Sequence, residues 1–408
     1  MTHEVELKRS LSLPMLMFYG LGNILGAGIY VLVGKVVAVA GIYAPISFLL
    51  ASLLAGFSAF SYAELSSRYP FSAGESIYLH EAFGIRLLSL GVGLLIILAG
   101  ILSSAAIVQG FVGYFNIFIQ TPRELTIIVV VCLIAALAIW GIVESVRAAV
   151  LLTLLEIFGL LLILWSGRAD LLAVPERLPE FWPQADMLTW YGIFWGGLLA
   201  FYAYIGFEDM VNVAEEVNNP HKTLPAAILM ALAISGLLYF LVALVAVLGL
   251  PAEQLANSDA PLALIYQHYT GKDPLLISAI GVFAVINGAL IQIIMVSRLL
   301  YGLSRKGWLP AIFSRVNRRT HTPLLATVLS ALAVLLLSVS LDISQLAENT
   351  SFVILLVFVL INAALLNIKR RYPAPVGVVT YPVYIPVMGL LSAVTFVVLK
   401  LLKPFFDY

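Results

Sequence analysis

The chain has 408 residues, of which 62% are hydrophobic and 11% charged, with 22 Lys and Arg balanced by 22 Asp and Glu. A mean hydropathy of +1.04 excludes a soluble globule, whose apolar share is about 45–50%, and zero net charge leaves no global field to draw nucleic acid or an anionic surface. A single cysteine, Cys132, excludes an intrachain disulfide and a cysteine-built metal site.

About 20 apolar residues in a helix cross the roughly 30 Å hydrocarbon core. The chain opens with Glu4 and Glu6 ahead of Lys8 and Arg9, and the apolar run behind them is too long for a cleaved signal peptide. Residues 1–13 therefore read as a cytoplasmic tail. Spans are predicted near 14–38, 42–66, 86–115, 124–142 and 147–166, which makes residues 14–167 a first five-helix block. A polar, proline-containing stretch, 168–188, reads as an extracellular loop. A second block, 189–368, holds spans near 189–214, 224–249, 274–301, 323–341 and 349–368. Residues 369–408 give a cytoplasmic loop and one more span near 380–402. The expected fold is an all-α polytopic membrane protein of about eleven transmembrane helices, a 5+5 inverted repeat led in each half by a discontinuous helix.

Lys and Arg placement sets the orientation. With the N-terminus inside, only Lys35, Arg123, Arg168, Arg177, Lys272, Lys400 and Lys403 fall outside, 7 of 22. The two terminal lysines sit on a tail that ends outside, so either the eleventh segment does not fully span or a final helix is missing.

The first and sixth segments are interrupted by glycine, at Gly26-Ala27-Gly28 and at Ile205-Gly206-Phe207. A helix opened inside a membrane frees backbone N–H and C=O groups, which are tolerated only where they face protein, a cavity or a bound solute. Amides after such a break suit an anion and carbonyls before it suit a cation, so a zwitterion such as an α-amino acid fits without any charged side chain. The alternative is close helix packing, since Gly22 and Gly26 form a GxxxG. In the second break, adjacent acids Glu208 and Asp209 are costly at membrane depth; an opened, solvated helix bordering a cavity accommodates them, and so does a helix that ends early with both acids in an interfacial loop. Tyr202, Tyr204 and Phe207 either line or gate a pocket or serve packing.

Glu156 stands mid-membrane in the fifth segment, where it either carries a coupling proton or bonds between helices. Gln109, Asn287 and Gln292 are uncharged and suit interhelical hydrogen bonds or a pocket wall, while Glu64 and Arg298 are expected at the interface. The five histidines show no metal-ligand spacing or nearby nucleophile, and the chain lacks G-x-x-x-x-G-K-[ST], so neither an enzyme, a cofactor, a metal nor ATP is expected.

These stretches resemble the amino acid–polyamine–organocation permeases, and more closely the branch of bacterial amino acid permeases and cationic amino acid transporters. Residues Gly22-Asn23-Ile24-Leu25-Gly26-Ala27-Gly28-Ile29-Tyr30 are similar to the family's first-helix motif, Phe201 through Glu208 to its sixth-helix pattern, and Ala214-Glu215-Glu216-Val217-Asn218-Asn219-Pro220 to its A-E-E-x-x-N-P. Ala63-Glu64-Leu65 through Phe83-Gly84, and Ser297 through Pro310, agree as well. The resemblance implies the fold shared with sodium-coupled leucine transporters. It implies a carboxylate site on the backbone around Ala27, Gly28 and Ile29, with Gly26 in the same substrate-binding region. Ile24 would lie beside the amino group, and carbonyls around Tyr202, Ala203 and Ile205 would receive it. Two departures stand out. Glu156 falls where several proton-coupled members carry lysine, and the eighth segment has only Ser278 and Ser297, near its ends, in place of a mid-membrane hydroxyl pair. The expected partners are a small-molecule amino acid, the lipid bilayer and protons, with no nucleic acid; oligomeric state is not legible. A polyamine or amine permease and a non-transporting amino acid sensor are the rivals.

Overall fold

The computed structural model describes residues 9, 11–71, 73–140, 143–317, 320, 322–373 and 375–402, and for Ala27, Trp140 and 143–148 the backbone alone. Most of the expected N-terminal tail, the Ala27 side chain and Lys403 lie outside the described residues. Among those residues the architecture is helical: α1 (Leu13–Ala40), α2 (Ala44–Arg68), α3 (Gly74–Phe83), α4 (Arg86–Phe115), α5 (Arg123–Trp140), α6 (Val143–Ser166), α7 (Arg168–Arg177), α8 (Met187–Tyr202), α9 (Pro220–Gly249), α10 (Ala252–Ala256), α11 (Pro261–Thr270), α12 (Leu275–Arg305), α13 (Leu324–Ser340), α14 (Ile343–Arg371) and α15 (Tyr384–Leu402). Among the described residues, 7 helical runs are long and apolar enough to cross a membrane.

Local chemistry explains where these helices begin and end. Proline stands in the first turn of α1, α2 and α9, where its missing N–H costs nothing. Asp342 and Gln345 form a reciprocal cap at the start of α14. Gly84, at φ 69°, closes α3 by returning its N–H to His80.

The expected sixth span ends early. α8 stops at Tyr202, and after a short turn the chain runs as a 3₁₀ stretch over Glu208–Glu216. Four short helices also lie in the connections between the expected spans: α3, α7, α10 and α11.

Packing joins the two halves closely. α1 lies against α8, α2 against α9, α4 against α12 and α5 against α13. The last helix, α15, packs on α14 and α2. Close to the end of the bundle where α2 and α12 finish, Leu11 pairs with the backbone on either side of Val217, its N–H reaching the Glu216 carbonyl at 2.9 Å.

Candidate functional site

The site is built where α1 opens against the turn that follows α8. Within α1 only Gly26 departs from helical geometry, at φ −31° and ψ −113°. In the second break Gly206 takes φ +127°, a conformation L side chains rarely adopt. A Cβ there would also meet Asn23 at 2.9 Å, so this position needs glycine on two counts.

The two breaks touch each other. A Cβ on Gly28 would lie 2.6 Å from the Ala203 Cα, which means that the backbones meet with nothing between them. Asn23 donates its amide to the Gly206 carbonyl at 2.9 Å and to Asp209 Oδ2 at 2.7 Å, and Gln292 of α12 donates to the same oxygen at 2.8 Å. On the neighbouring side, Tyr239 of α9 places its hydroxyl 2.6 Å from the Ile24 carbonyl and 2.9 Å from the Ala203 carbonyl. One hydroxyl thus serves a carbonyl from each opened helix. The Tyr202 carbonyl is used locally, accepting the Ile205 N–H at 3.1 Å.

Both acids after α8 are buried, Glu208 at 1% and Asp209 at 2% exposure. This corrects the expectation that they sit in a solvated opening, and equally the interfacial alternative. Glu208 Oε2 accepts the freed Gly206 N–H at 2.9 Å, while its other oxygen has no partner. With Ile96, Ala99, Gly100, Ile205, Asp209, Gln292, Met295 and Ile354 it lines a space too tight to admit a water molecule.

Glu156 of α6 is buried beside the first half of α1. Asn287 of α12 donates to its Oε1 at 2.9 Å, and a Cβ on Gly22 would strike Thr153 Oγ1 at 2.1 Å and the Asn287 amide at 2.9 Å. Tyr30, beyond the break, donates to the Glu156 carbonyl at 2.7 Å. The carboxyl, Asn287 and both halves of α1 therefore form one packed unit.

The sequence profile of the family described as Amino acid permease matches residues 11–406. The chain belongs to the amino acid permease family. The cationic amino acid transporter 2, vacuolar, of Arabidopsis thaliana is 31% identical over 403 residues, 92% of this chain and 61% of that protein. The branched-chain amino acid permease BcaP of Bacillus subtilis is 30% identical over 394 residues, 91% of this chain and 83% of that one. The methylthioribose transporter of Bacillus subtilis is 28% identical over 410 residues, 95% and 87% of the two. The chain is thus a multi-pass membrane protein of a transporter family, spanning less than two thirds of the Arabidopsis relative's length.

Other sequence-selected residues of this permease fall at varied distances from the breaks. Tyr202 bonds Ser103 of α4 at 3.2 Å, Tyr204 reaches the Phe48 carbonyl at 3.0 Å and packs edge-on against Tyr239, and Phe207 sits between Tyr62 and Phe358. Ile24 and Ile29 are buried in the core. Gln109 is not part of this set; it donates to backbone carbonyls at the end of α13, Ser338 at 2.8 Å and Leu341.

Glu64 is corrected as well: it is fully buried, bonded to Arg68 and Lys369 at 2.6 Å each, and takes the Tyr381 N–H at 2.9 Å. Arg298 faces Glu216 at 3.4 Å. Sequence reasoning passed over Tyr239 and Glu75. Tyr239 is a lone hydroxyl in a long apolar run; Glu75 lies on a helix too short to cross and was read only as part of a signature.

Proposed function

We propose that this permease moves an α-amino acid across the cytoplasmic membrane by alternating access, coupled to protons or running as an exchanger. The observation that carries the reading is the convergence of the Ile24 and Ala203 carbonyls on one Tyr239 hydroxyl, where the two opened helices meet. Carbonyls freed from two helix ends attract a positive donor, and a substrate ammonium entering there takes over the bonds that the hydroxyl makes. The carboxylate falls to the backbone of Gly26, Ala27, Gly28 and Ile29, at the start of the second half of α1. Tyr202, Tyr204, Ile205 and Phe207 complete the binding region. The Arabidopsis relative's name as a cationic amino acid transporter and the Bacillus relative's as a branched-chain amino acid permease support an amino acid substrate.

The contacts of α1, α2, α4 and α5 with the helix five spans later support two inverted five-helix repeats plus an eleventh helix. The excess of Lys and Arg at the α2 and α12 ends supports a cytoplasmic N-terminus and a cytoplasmic location for that end. The present conformation brings the breaks together, so substrate entry requires α1 and α8 to part. Glu156, with Oε2 unpartnered, is the candidate carrier of a coupling proton, placed where it joins α6 and α12 to the moving half of α1.

The second reading, an amine permease, is favoured by buried carboxyl oxygens without partners on Glu208 and Glu156. Uptake of a labelled panel of amino acids and amines into proteoliposomes separates the two. Stimulation by an inward proton gradient supports symport, a requirement for internal amino acid supports exchange, and uptake of amines alone overturns the amino acid reading.

A further inference from the structure

Around Tyr62, which packs on Phe207 of the second break, lies a cluster of buried polar side chains without hydrogen-bond partners among the described residues. Glu75 of α3 is completely buried and neither of its carboxyl oxygens has a hydrogen-bond partner. The same holds for the hydroxyls of Tyr62 and Tyr78, for both amide atoms of Asn212 and for Glu208 Oε1. Tyr62 and Asn212 are near neighbours of Glu75 without meeting bonding geometry, and Tyr62 senses the charge of Glu75 and of Glu208 alike. Its ring packs on Phe207 with centroids 5.7 Å apart, which fixes it to the break.

Among the described residues no cation offsets the Glu75 carboxyl. On the 3₁₀ stretch the groups that reach it are the acids Asp209 and Glu208. On α14, Lys369 is bonded to both oxygens of Glu64 at 2.6 Å. On α4, Arg86 bonds the Gly307 carbonyl. On α3 itself, Tyr78 is neutral and His80 lies against Trp308. A buried carboxyl among acids and hydroxyls is stable only as the neutral acid; burial pushes Glu75 up to about 8.

We propose that Glu75 is a proton-binding site, which holds a proton while the cytoplasmic side is closed and releases it to the cytoplasm when that side opens. This rests on the transport reading above and extends it beyond Glu156. The arrangement supplies the route. In the closed arrangement Glu75 keeps its proton. When the cytoplasmic side opens and α3 is hydrated, Glu75 gives that proton to water and becomes a carboxylate. As that side closes again, the Tyr62 hydroxyl bridges Glu208 and Glu75. It accepts the proton of the Glu208 carboxyl as it gives its own to the Glu75 carboxylate, which leaves Tyr62 unchanged, Glu75 neutral and Glu208 ionised until water from the opposite side reprotonates it when that side opens.

The test uses the full chain in lipid, as wild type, Glu75→Gln and Tyr62→Phe. Infrared titration of the wild type is expected to show a carboxylic acid band that disappears near pH 8 and is absent from Glu75→Gln. In proteoliposomes, Glu75→Gln is expected to lose all gradient-stimulated accumulation of whichever L-amino acid the wild type carries, and Tyr62→Phe to slow it. Both are expected to keep exchange against internal amino acid. Loss of exchange together with accumulation in both variants, or a band that survives Glu75→Gln, overturns the proposal, as does undiminished accumulation in Glu75→Gln. A wild type that carries no amino acid counts against the transport reading alone, and the infrared band then decides the proton site.

Discussion

Asn23 donates its side-chain amide to the Gly206 carbonyl at 2.9 Å, so the opening in one helix is bonded to the opening in the other. The same amide reaches Asp209, and Gln292 closes the set from α12. Three elements are therefore tied at one point, and any motion that exposes the breaks must give up these bonds. The proposed alternating access requires a joint that gives up such bonds in one state and makes them in the other.

Gly206→Ala is expected to cost about 1–3 kcal/mol in backbone strain alone and to abolish transport, because a Cβ also meets Asn23 at 2.9 Å. Gly26→Ala is the informative comparison, since a Cβ there finds only ordinary contacts from 3.5 Å outward. Thermal unfolding and uptake measured together check both variants, and equal damage from the two would contradict the assignment of the steric requirement to Gly206.

Tyr239→Phe removes the hydroxyl that serves Ile24 and Ala203. The empty protein is expected to lose about 1–3 kcal/mol through unsatisfied buried carbonyls. Substrate then no longer displaces an internal donor, and its affinity is expected to rise, by up to about tenfold for each 1.4 kcal/mol recovered. Direct binding measurements check this; weaker binding would mean that the hydroxyl contacts the substrate instead of competing with it.

Glu156→Gln keeps an acceptor for the Asn287 amide while removing the ionisable group. Folding is expected to change little and the pH dependence of uptake to disappear. Matching pH profiles for wild type and variant would retire Glu156 as the proton carrier.

Lys369→Met leaves Glu64 buried with Arg68 and the Tyr381 N–H. Removing one partner of a buried ion pair costs about 3–5 kcal/mol, and the Arg68 bond is expected to hold the loss near the lower end. A melt that stays within error of the wild type would show the pair to be energetically idle.

For Glu75 the sign of the pH effect follows from its raised value. The folded protein holds the proton more tightly than the unfolded chain, so its contribution is complete below the ordinary 4.5 and is lost as pH rises to about 8. Denaturation followed across that window is expected to show stability falling with pH in the wild type and a flatter profile in Glu75→Gln.

Much of the framework was legible because membrane helices announce themselves by length and hydropathy, and because glycine between bulky apolar residues at Ile205-Gly206-Phe207 signals a break that only backbone chemistry explains. The end of α8 at Tyr202 was not legible. The residues after it are apolar enough to continue a span, and their course is set by Asn23, Gln292 and Glu208 bonding their freed groups. Nor could the Glu64 and Lys369 pair be read, since its partners lie 305 positions apart. Glu75 escaped for the same reason: the groups beside its carboxyl, Tyr62 of α2 and Asn212 of the 3₁₀ stretch, are distant in sequence, which local pattern does not encode.

The most direct test of the account is competition against uptake of the transported L-amino acid by that amino acid, by its decarboxylated amine and by its 2-oxo acid. If the opened helices hold ammonium and carboxylate together, only the intact amino acid competes strongly. An amine that competes as well as the amino acid would contradict the carboxylate site on α1 and with it the central claim.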